Sequence, residues 1–470
     1  MTPAHNPPGN PPDKPSDEPS GHSSDQGPRH GETAPGAPAE HPAADYSTGY
    51  KRFVLLMLTL VYAFNFIDRQ ILVILQEPIK ADMGLSDAQL GLLSGFTFAV
   101  VYVSAGIPLA YWADRSNRRN IVAAALAIWS GMTALSGLAQ NYTHLLLARL
   151  GVGLGEAGGS PPAHSMISDY YPPRQRATAL SVYSSGIYLG VLVGFALGGV
   201  LAQAFGWRAA FMAVGLPGVL FALLLWLTVR EPRRGRWDAG QAAAAAPSLG
   251  RTLSLLRGRR AFWYLALGCA FTSFSSYGNT NFWPSLLIRN HEMSIAEVGL
   301  VLSLVSGISG AVGTFSGGFL VDRLSGKDRR WYAWVPLLGV ALATPPYYFA
   351  ILSHNTAAAL LVLFLAGTVK SFYLGPCIAA SHAMVPPRMR ALTSAVLFFV
   401  LNMIGLGLGP LFTGLISDLL APISGADNLR HAMCATTTLG LLAVPMFWQA
   451  SRRLPSDLSA SERDAAKAEP

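Results

Sequence analysis

Charge is what this sequence lacks most for its size. Of 470 residues only 13% are Asp, Glu, Lys or Arg, while 51% are apolar. Soluble domains carry roughly twice that charged share, and a soluble fold of this length cannot hide so much apolar surface. Cysteine is scarce too. Cys269, Cys377 and Cys434 are the only three. All lie inside apolar runs and form no C-x-x-C pair or metal-ligand spacing. They read as packing thiols, and neither a metal nor another cofactor is expected. G-x-x-x-x-G-K-[ST], H-E-x-x-H and G-x-S-x-G are all missing. Their absence removes ATP as an energy source and leaves no constellation on which to build an enzyme.

Long apolar runs are what the sequence has instead. Crossing the hydrocarbon core takes about 20 mostly apolar residues. Twelve candidate spans follow: 53–76, 87–112, 119–139, 143–169, 175–203, 207–229, 260–288, 295–321, 331–352, 356–384, 389–419 and 429–451. The expected fold is an all-α membrane protein of twelve transmembrane helices in two six-helix bundles. The bundles would occupy 51–229 and 260–452, joined by a cytoplasmic linker, 230–259, with a surface helix near Leu253–Leu256. Residues 453–470 read as a polar C-terminal tail. Residues 1–50 hold 11 of the 32 prolines and four of the ten histidines. That composition cannot repay the entropy of folding, so a disordered cytoplasmic tail is expected there. No signal peptide precedes the first apolar run, so the first helix is expected to stay as an anchor.

The net charge of +8 does not point to nucleic acid. With the N-terminus inside, 23 Lys/Arg fall in cytoplasmic loops and flanks. Only Lys80, Arg208, Arg289 and Arg430 fall in external ones. Positive residues stay on the cytoplasmic side, so both termini are expected inside a cell (inner) membrane, in a chain read as a monomer.

The two halves repeat one another. Ser86, Ala88, Gly91 and Leu92 match Ser294, Ala296, Gly299 and Leu300 at a constant offset, which also places Asp114-Arg115 on Asp322-Arg323. A second offset aligns Pro172-Pro173-Arg174 with Pro386-Pro387-Arg388, and Arg176-Ala177 with Arg390-Ala391. Equivalent spans point the same way. The repeat axis therefore runs along the membrane normal, with a substrate cavity expected between the halves near the midplane.

Several segments carry a family likeness. GIPLAYWADRSNRR (106–119), its weaker copy SGGFLVDRLSGKDRR (316–330) and RLGVGLGEA (149–157) resemble signature motifs of the major facilitator superfamily. NFIDR (65–69) and GVGLGEAGGSPPAHSMISDYYPPRQRA (151–177) resemble its spinster branch. The resemblance covers about residues 50–452. It implies transport of lipids such as lysophospholipids or sphingoid phosphates, with proton dependence in bacterial members. It also implies that Asp114, Arg115, Arg118 and Asp169, with Asp322 and Arg323 as a second copy, form interdomain latches. Topology-setting charge is the alternative role.

Ionisable groups inside a span are costly and usually functional. Asp68, Arg69, Glu156 and Lys370 are four such groups, and Arg149 projects from the same helix face as Glu156, two turns earlier. The second offset relates Glu156 to Lys370, unlike charges at matching positions. Asp68-Arg69 has no charged twin; its counterpart is a polar stretch containing Ser273, Ser275, Ser276, Asn279 and Asn281. Proton coupling is assigned to Asp68, Arg69 and Glu156. Substrate binding is assigned to Arg69, Glu156, Lys370 and Asn279, with structural ion pairing as the alternative. Desolvation strengthens proton binding by a carboxylate and a nearby cation weakens it. Asp68 or Glu156 would then pair with Arg69 when deprotonated and release it when protonated. The residues alone do not decide which. Gly186, Gly190, Gly194 and Gly198 form a small-residue face for close packing, expected between helices 5 and 8.

The function expected is proton-coupled secondary transport of amphiphilic, anionic, lipid-like molecules. The expected partners are protons, the substrate and the lipid bilayer. The rivals are multidrug efflux and an uncoupled flippase or transporter-like receptor.

Overall fold

The computed structural model describes residues 46–113, 115–237 and 249–466. The expected disorder of 1–50 falls almost wholly outside these residues, as does Asp114. Among the described residues all regular structure is helical, and it forms twelve bilayer-length segments. The first half holds α1 (Thr48–Ile74), α2 (Asp87–Ala113) and α3 (Arg118–Ser136). In α4 (142–170), Tyr142–Ala157 and Ser160–Tyr170 are broken apart at Gly158-Gly159. A continuous helical run, Pro173–Thr228, is turned at Gly206, whose φ of +80° suits glycine, and so divides into α5 (173–205) and α6 (207–228). The second half holds α7 (Arg260–His291), α8 (Ile295–Ser325), α9 (Trp331–Leu352), α10 (Thr356–Ala383), α11 (390–424) and α12 (428–466).

Seven helical stretches are long and apolar enough to cross a membrane. Because 173–228 and 390–464 each contain two spans, these seven hold nine of the twelve. The other three are α3, α4 and α7. α3 opens on Arg118, Arg119 and Asn120, α4 is broken and carries Arg149 and Glu156, and α7 bears the polar stretch from Ser273 to Asn281. Low hydropathy thus marks helices rich in polar and charged residues, although α1 and α10 carry Asp68, Arg69 and Lys370 within apolar spans.

The internal repeat reflects copied helix starts. Ser86 accepts from Gln89 N and Gln89 Oε1 accepts from Ser86 N, while Ser294 and Glu297 form the same reciprocal box at the start of α8. Each box satisfies two of the donors that a helix start leaves open.

An even number of spans puts the beginning of α1 and the end of α12 at one end of the bundle, here the near end. One apolar cluster fuses the halves at the far end. In it Ile71, Leu75 and Phe195 pack in the same core as Phe282, Leu286 and Val298. Towards the near end each half has a core of its own, around Trp129 and Tyr170 in the first and Phe262 and Phe447 in the second.

Charge follows the same division. Among the described residues the ion pairs between halves lie at the far end. Arg289 of α7 reaches Glu77 at 2.6 Å and Asp87 at 2.7 Å. Ser417 of α11 donates to Asp87 at 2.6 Å. The Asp418 carboxylate accepts from the backbone N–H of Asp87 at 3.0 Å and of Ala88 at 2.8 Å. The last segment of α11 thereby caps the first turn of α2, where the helix dipole favours an anion. A Cβ on Gly414 would collide with the Asp87 backbone, so the cap requires glycine at that crossing.

At the near end the expected interdomain latches take a different form. Arg118 is buried within the first half, bound to Asp169 at 2.5 Å, Glu231 at 2.7 Å, Ser165 at 2.7 Å and the Pro232 carbonyl at 3.0 Å. Arg118 and Asp169 neutralise each other inside one bundle and do not reach the other. Arg115 folds back onto its own helix, 3.5 Å from the Tyr111 ring centre. Asp322 and Arg323 are exposed and form no ion pair among the described residues. The glycine stripe also differs from expectation. Gly186, Gly190, Gly194 and Gly198 face α1, against Thr59, Ala63, Ile67 and Ile74, whereas neighbouring Gly199 meets Gly299 of α8. One residue is about 100° of helix rotation, enough to turn the stripe from one neighbour to the next.

The C-terminal segment is also more ordered than a polar tail. α12 continues to Ala466, burying Leu454 and Leu458 against Leu256 of the surface helix Leu249–Gly258. Asp457 accepts from Ala261 N at 2.7 Å, capping α7.

Asp418→Asn should lower the far-end-closed population roughly 10-fold or more, since hydrogen bonds to a charged group contribute about 1.5–3 kcal/mol. Spin labels on the far ends of α2 and α11 should then show a longer distance, and an unchanged distribution would remove Asp418 as a gate. Arg118→Ala, which leaves Asp169 buried and unpaired, should cost about 3–5 kcal/mol of stability. Arg323→Ala should cost about 0.5 kcal/mol or less. Melting of the purified variants checks both.

Candidate functional site

Asp68 and Arg69 are adjacent on α1, so their side chains leave the helix about 100° apart and serve different neighbours. Arg69 reaches α4, where Nε donates to Glu156 Oε2 at 2.7 Å and Nη2 forms an ion pair with the same oxygen at 2.6 Å. Its guanidinium also lies over the rings of Phe98 at 4.6 Å, Phe66 at 5.2 Å and Tyr102 at 5.3 Å, an arrangement that stabilises a desolvated cation. Asp68 turns instead towards α3 and accepts from Ser130 Oγ at 3.2 Å. Arg149 approaches from α4 and donates to the Asp68 backbone carbonyl at 3.5 Å. The sequence therefore brings two carboxylates and two guanidiniums together from two helices, with a hydroxyl from a third.

The cluster is balanced in charge but incomplete in hydrogen bonds. Asp68, Glu156 and Arg149 are 0%, 1% and 3% exposed. Asp68 Oδ1, Glu156 Oε1, and Arg149 Nε and Nη2 have no hydrogen-bond partner among the described residues. Both carboxylates thus keep one oxygen able to take a proton without breaking an existing bond. Arg69, with 18% of its side chain exposed, and Arg149 are where the cluster meets the cavity.

Two cavities flank this point and share Tyr277 and Thr280 of α7. The smaller, about 60 Å³, is walled by Arg69, Arg149, Phe66, Leu93, Phe98 and Leu406. Both halves contribute here, and Leu93 and Leu406 lie in π-helical turns, Leu92–Phe96 of α2 and Asn402–Leu408 of α11. Such turns re-aim side chains near functional sites. The larger cavity, about 210 Å³, lies in the second half and contains Lys370. Lys370 Nζ donates to Ser275 Oγ at 2.8 Å and lies 4.4 Å from the centre of the Tyr347 ring.

The repeat-related pair Glu156 and Lys370 therefore differ in placement as well as charge. Lys370 lines a cavity, whereas Glu156 sits behind Arg69 and lines neither. Asn279 corrects the sequence expectation. It is fully buried and donates to Thr437 Oγ1 of α12 at 2.7 Å. Two residues from Tyr277 is about 200° of rotation, so Asn279 faces away from the cavity. The polar residues of α7 that do line it are Ser276, Tyr277 and Thr280. Their i, i+1, i+4 spacing was the available signal. Tyr347, inside the apolar run of α9, carried none. Glu77, Asp87 and Asp418 carried no signal either, because a carboxylate at a helix end does not enter a count of positive topology charges.

The comparisons with known proteins agree with this architecture. The Major Facilitator Superfamily profile matches residues 58–410 and 266–469. A solved bacterial homologue of the human lysosomal transporter spinster, in an inward-facing and unoccupied conformation, superposes with a TM-score of 0.81. It is 36% identical, over 88% of this chain and 99% of that one. An MFS-type efflux pump of Mycolicibacterium smegmatis is 35% identical over 86% of this chain and 93% of its own. Protein spinster homolog 3 of Danio rerio is 25% identical over 90% and 91%. Two six-helix halves fused at one end, a charged cluster on α1 and α4, and these matches carry one conclusion: the chain belongs to the major facilitator superfamily and is a multi-pass membrane transporter close to the spinster proteins.

Proposed function

We propose that the protein is a proton-coupled secondary transporter of amphiphilic, anionic, lipid-like molecules, working by alternating access. The observation that carries this reading is the buried Arg69–Glu156 pair with Asp68 and Arg149 beside it. With both carboxylates ionised, two positive and two negative charges cancel. One proton leaves a guanidinium without its counter-charge in a water-poor interior, a state strongly disfavoured. The cluster then relaxes by moving α1 against α4, or by drawing an anionic group of the substrate to Arg69. A bond made in one protonation state and lost in the other gives the proton differential affinity for two conformations, which is what coupling requires.

The strong bias of Lys/Arg towards the near end supports a cytoplasmic near end in the cell inner membrane, with both termini inside. On that assignment the fused far end is external and the conformation is inward-facing, as in the spinster homologue. The efflux relative favours multidrug transport as a second reading. Against it stands Lys370, a cation in the cavity whose close partners among the described residues are a hydroxyl and a ring.

Reconstituted protein under an imposed pH gradient tests the proposal. Wild type should move a single-chain anionic phospholipid faster with the gradient than without it. Glu156→Gln and Asp68→Asn should each reduce the gradient-driven component towards that of empty liposomes. Full retention by Glu156→Gln would remove Glu156 from coupling, and gradient-driven movement of cationic drugs but not of the lysolipid would favour the second reading. Asp114→Ala should change the balance of inward- and outward-open populations with little effect on substrate affinity. A pure loss of affinity would count against its role as a latch.

A further inference from the structure

The second half's cavity holds a positive charge with no carboxylate beside it among the described residues. Lys370 is 8% exposed, and its close partners are the Ser275 hydroxyl and the Tyr347 ring. Tyr347 is itself held in place, since Trp283 Nε1 donates to its hydroxyl at 3.2 Å. A lysine serving only structure would extend its amine to a membrane surface or pair with an acid. This one ends in the cavity wall.

The hydroxyls around it are unusual in the same direction. Many Ser and Thr of the spans turn back onto their own helix, among them Thr272 to Gly268 O at 2.8 Å, Thr344 to Val340 O at 2.7 Å, Thr436 to Ala432 O at 2.9 Å and, in this cavity, Ser371 to Gly367 O at 2.8 Å, while Thr133, Ser285 and Thr393 are buried without a partner among the described residues. That back-bond satisfies a hydroxyl where water is absent. Ser276, Thr280, Ser306 and Ser309 line the Lys370 cavity and make no hydrogen bond among the described residues. Ser276 and Thr280 come from α7, Ser306 and Ser309 from α8, so two helices aim their unspent hydroxyls at one space.

We infer that this cavity is the headgroup site for a substrate bearing a negative charge next to hydroxyl groups. The anion sits on the Lys370 ammonium, and the substrate hydroxyls exchange hydrogen bonds with Ser276, Thr280, Ser306 and Ser309. A cationic head is repelled by Lys370, and an apolar one leaves four hydroxyls unpaired at a desolvation cost. The apolar part then runs past Tyr277 and Thr280, shared by both cavities, to the wall of Phe66, Leu93, Phe98 and Leu406. This orients the substrate head towards the second half, away from the proton-handling cluster. The inference rests on the amphiphile-transport reading and adds the headgroup's chemistry and location. Such chemistry has two sources: the phosphoglycerol head of a single-chain lipid, and a free sugar acid.

Calorimetric titration of the full-length purified protein distinguishes them. The probes are a lysophosphatidylglycerol, an alkyl phosphate of equal chain length without hydroxyls, glucuronate, and an alkyltrimethylammonium. The lysophosphatidylglycerol should bind more tightly than the alkyl phosphate, and the ammonium weakest. Lys370→Met should weaken both phosphates roughly 10- to 100-fold, the range for a lost charge-assisted hydrogen bond. Thr280→Val with Ser306→Ala should weaken only the lysophosphatidylglycerol. This charge-neutral pair carries the test by itself if Lys370→Met does not fold. Glucuronate binding with the same variant pattern and comparable affinity assigns the site to a free sugar acid and keeps the headgroup chemistry. Unchanged affinities in both variants, or equal binding of the ammonium, overturn it. Gradient-driven lipid transport with affinity indifferent to Lys370 would sink this inference alone. Intact Lys370-dependent binding without gradient-driven transport would sink the coupling proposal alone.

Discussion

A guanidinium inside a bilayer must keep a counter-charge, and most of the first half is arranged around that constraint. Arginine stays protonated at any accessible pH, so Arg69 and Arg149 cannot escape burial by titrating. They need Asp68 and Glu156, and those carboxylates need them. Holding four charged groups together fixes the relative placement of α1, α3 and α4. The close contact of α5 with α1 through Gly186, Gly190 and Gly194 supports α1 from its other side. Because α4 must carry both Arg149 and Glu156, it forfeits the apolar character of an ordinary span. The aromatic faces of Phe66, Phe98 and Tyr102 compensate Arg69, the more exposed of the two guanidiniums that meet the cavity.

The repeat conserved the scaffold and released the chemistry. Helix starts were copied closely enough that Ser86 and Ser294 still build the same capping box, because a helix entering the interface needs its donors satisfied in either half. No such demand acts on a cavity wall. Where the first half has a neutral set of four charges, the second has one cation among hydroxyls and rings. That division separates the two walls: paired buried charges sit behind Arg69, and groups able to hold a polar ligand line the other cavity.

How much of this was legible in the sequence follows from which forces act locally. Spans, repeat and charged candidates could be read because hydropathy, caps and intramembrane ionisable residues leave marks within a few residues of themselves. Lys370 and Glu156 are conspicuous in any apolar run. Which way a side chain faces depends on the helix packed against it. Asn279 looked like a cavity residue because it is polar, yet Thr437, 158 residues away, claims it. Arg118 and Asp169 looked like a bridge between halves, yet Glu231 and Pro232, beyond α6, complete their shell within one half. Tyr347 gained a role only because α9 brings its ring beneath Lys370.

The far-end contacts suggest why the halves switch between discrete states rather than drifting. α2 and α11 run antiparallel, so the start of one lies beside the end of the other. Asp418, near the end of α11, now caps the start of α2. A carboxylate reaching across to a helix start releases the donors it caps when the halves part, and those donors must then find water. Rocking about the midplane closes one end only by opening the other. Opening the far end therefore forfeits the Asp418 cap. A small tilt breaks that cap before water can reach the freed donors, so partly open arrangements lie higher in energy than either a closed or a fully opened far end.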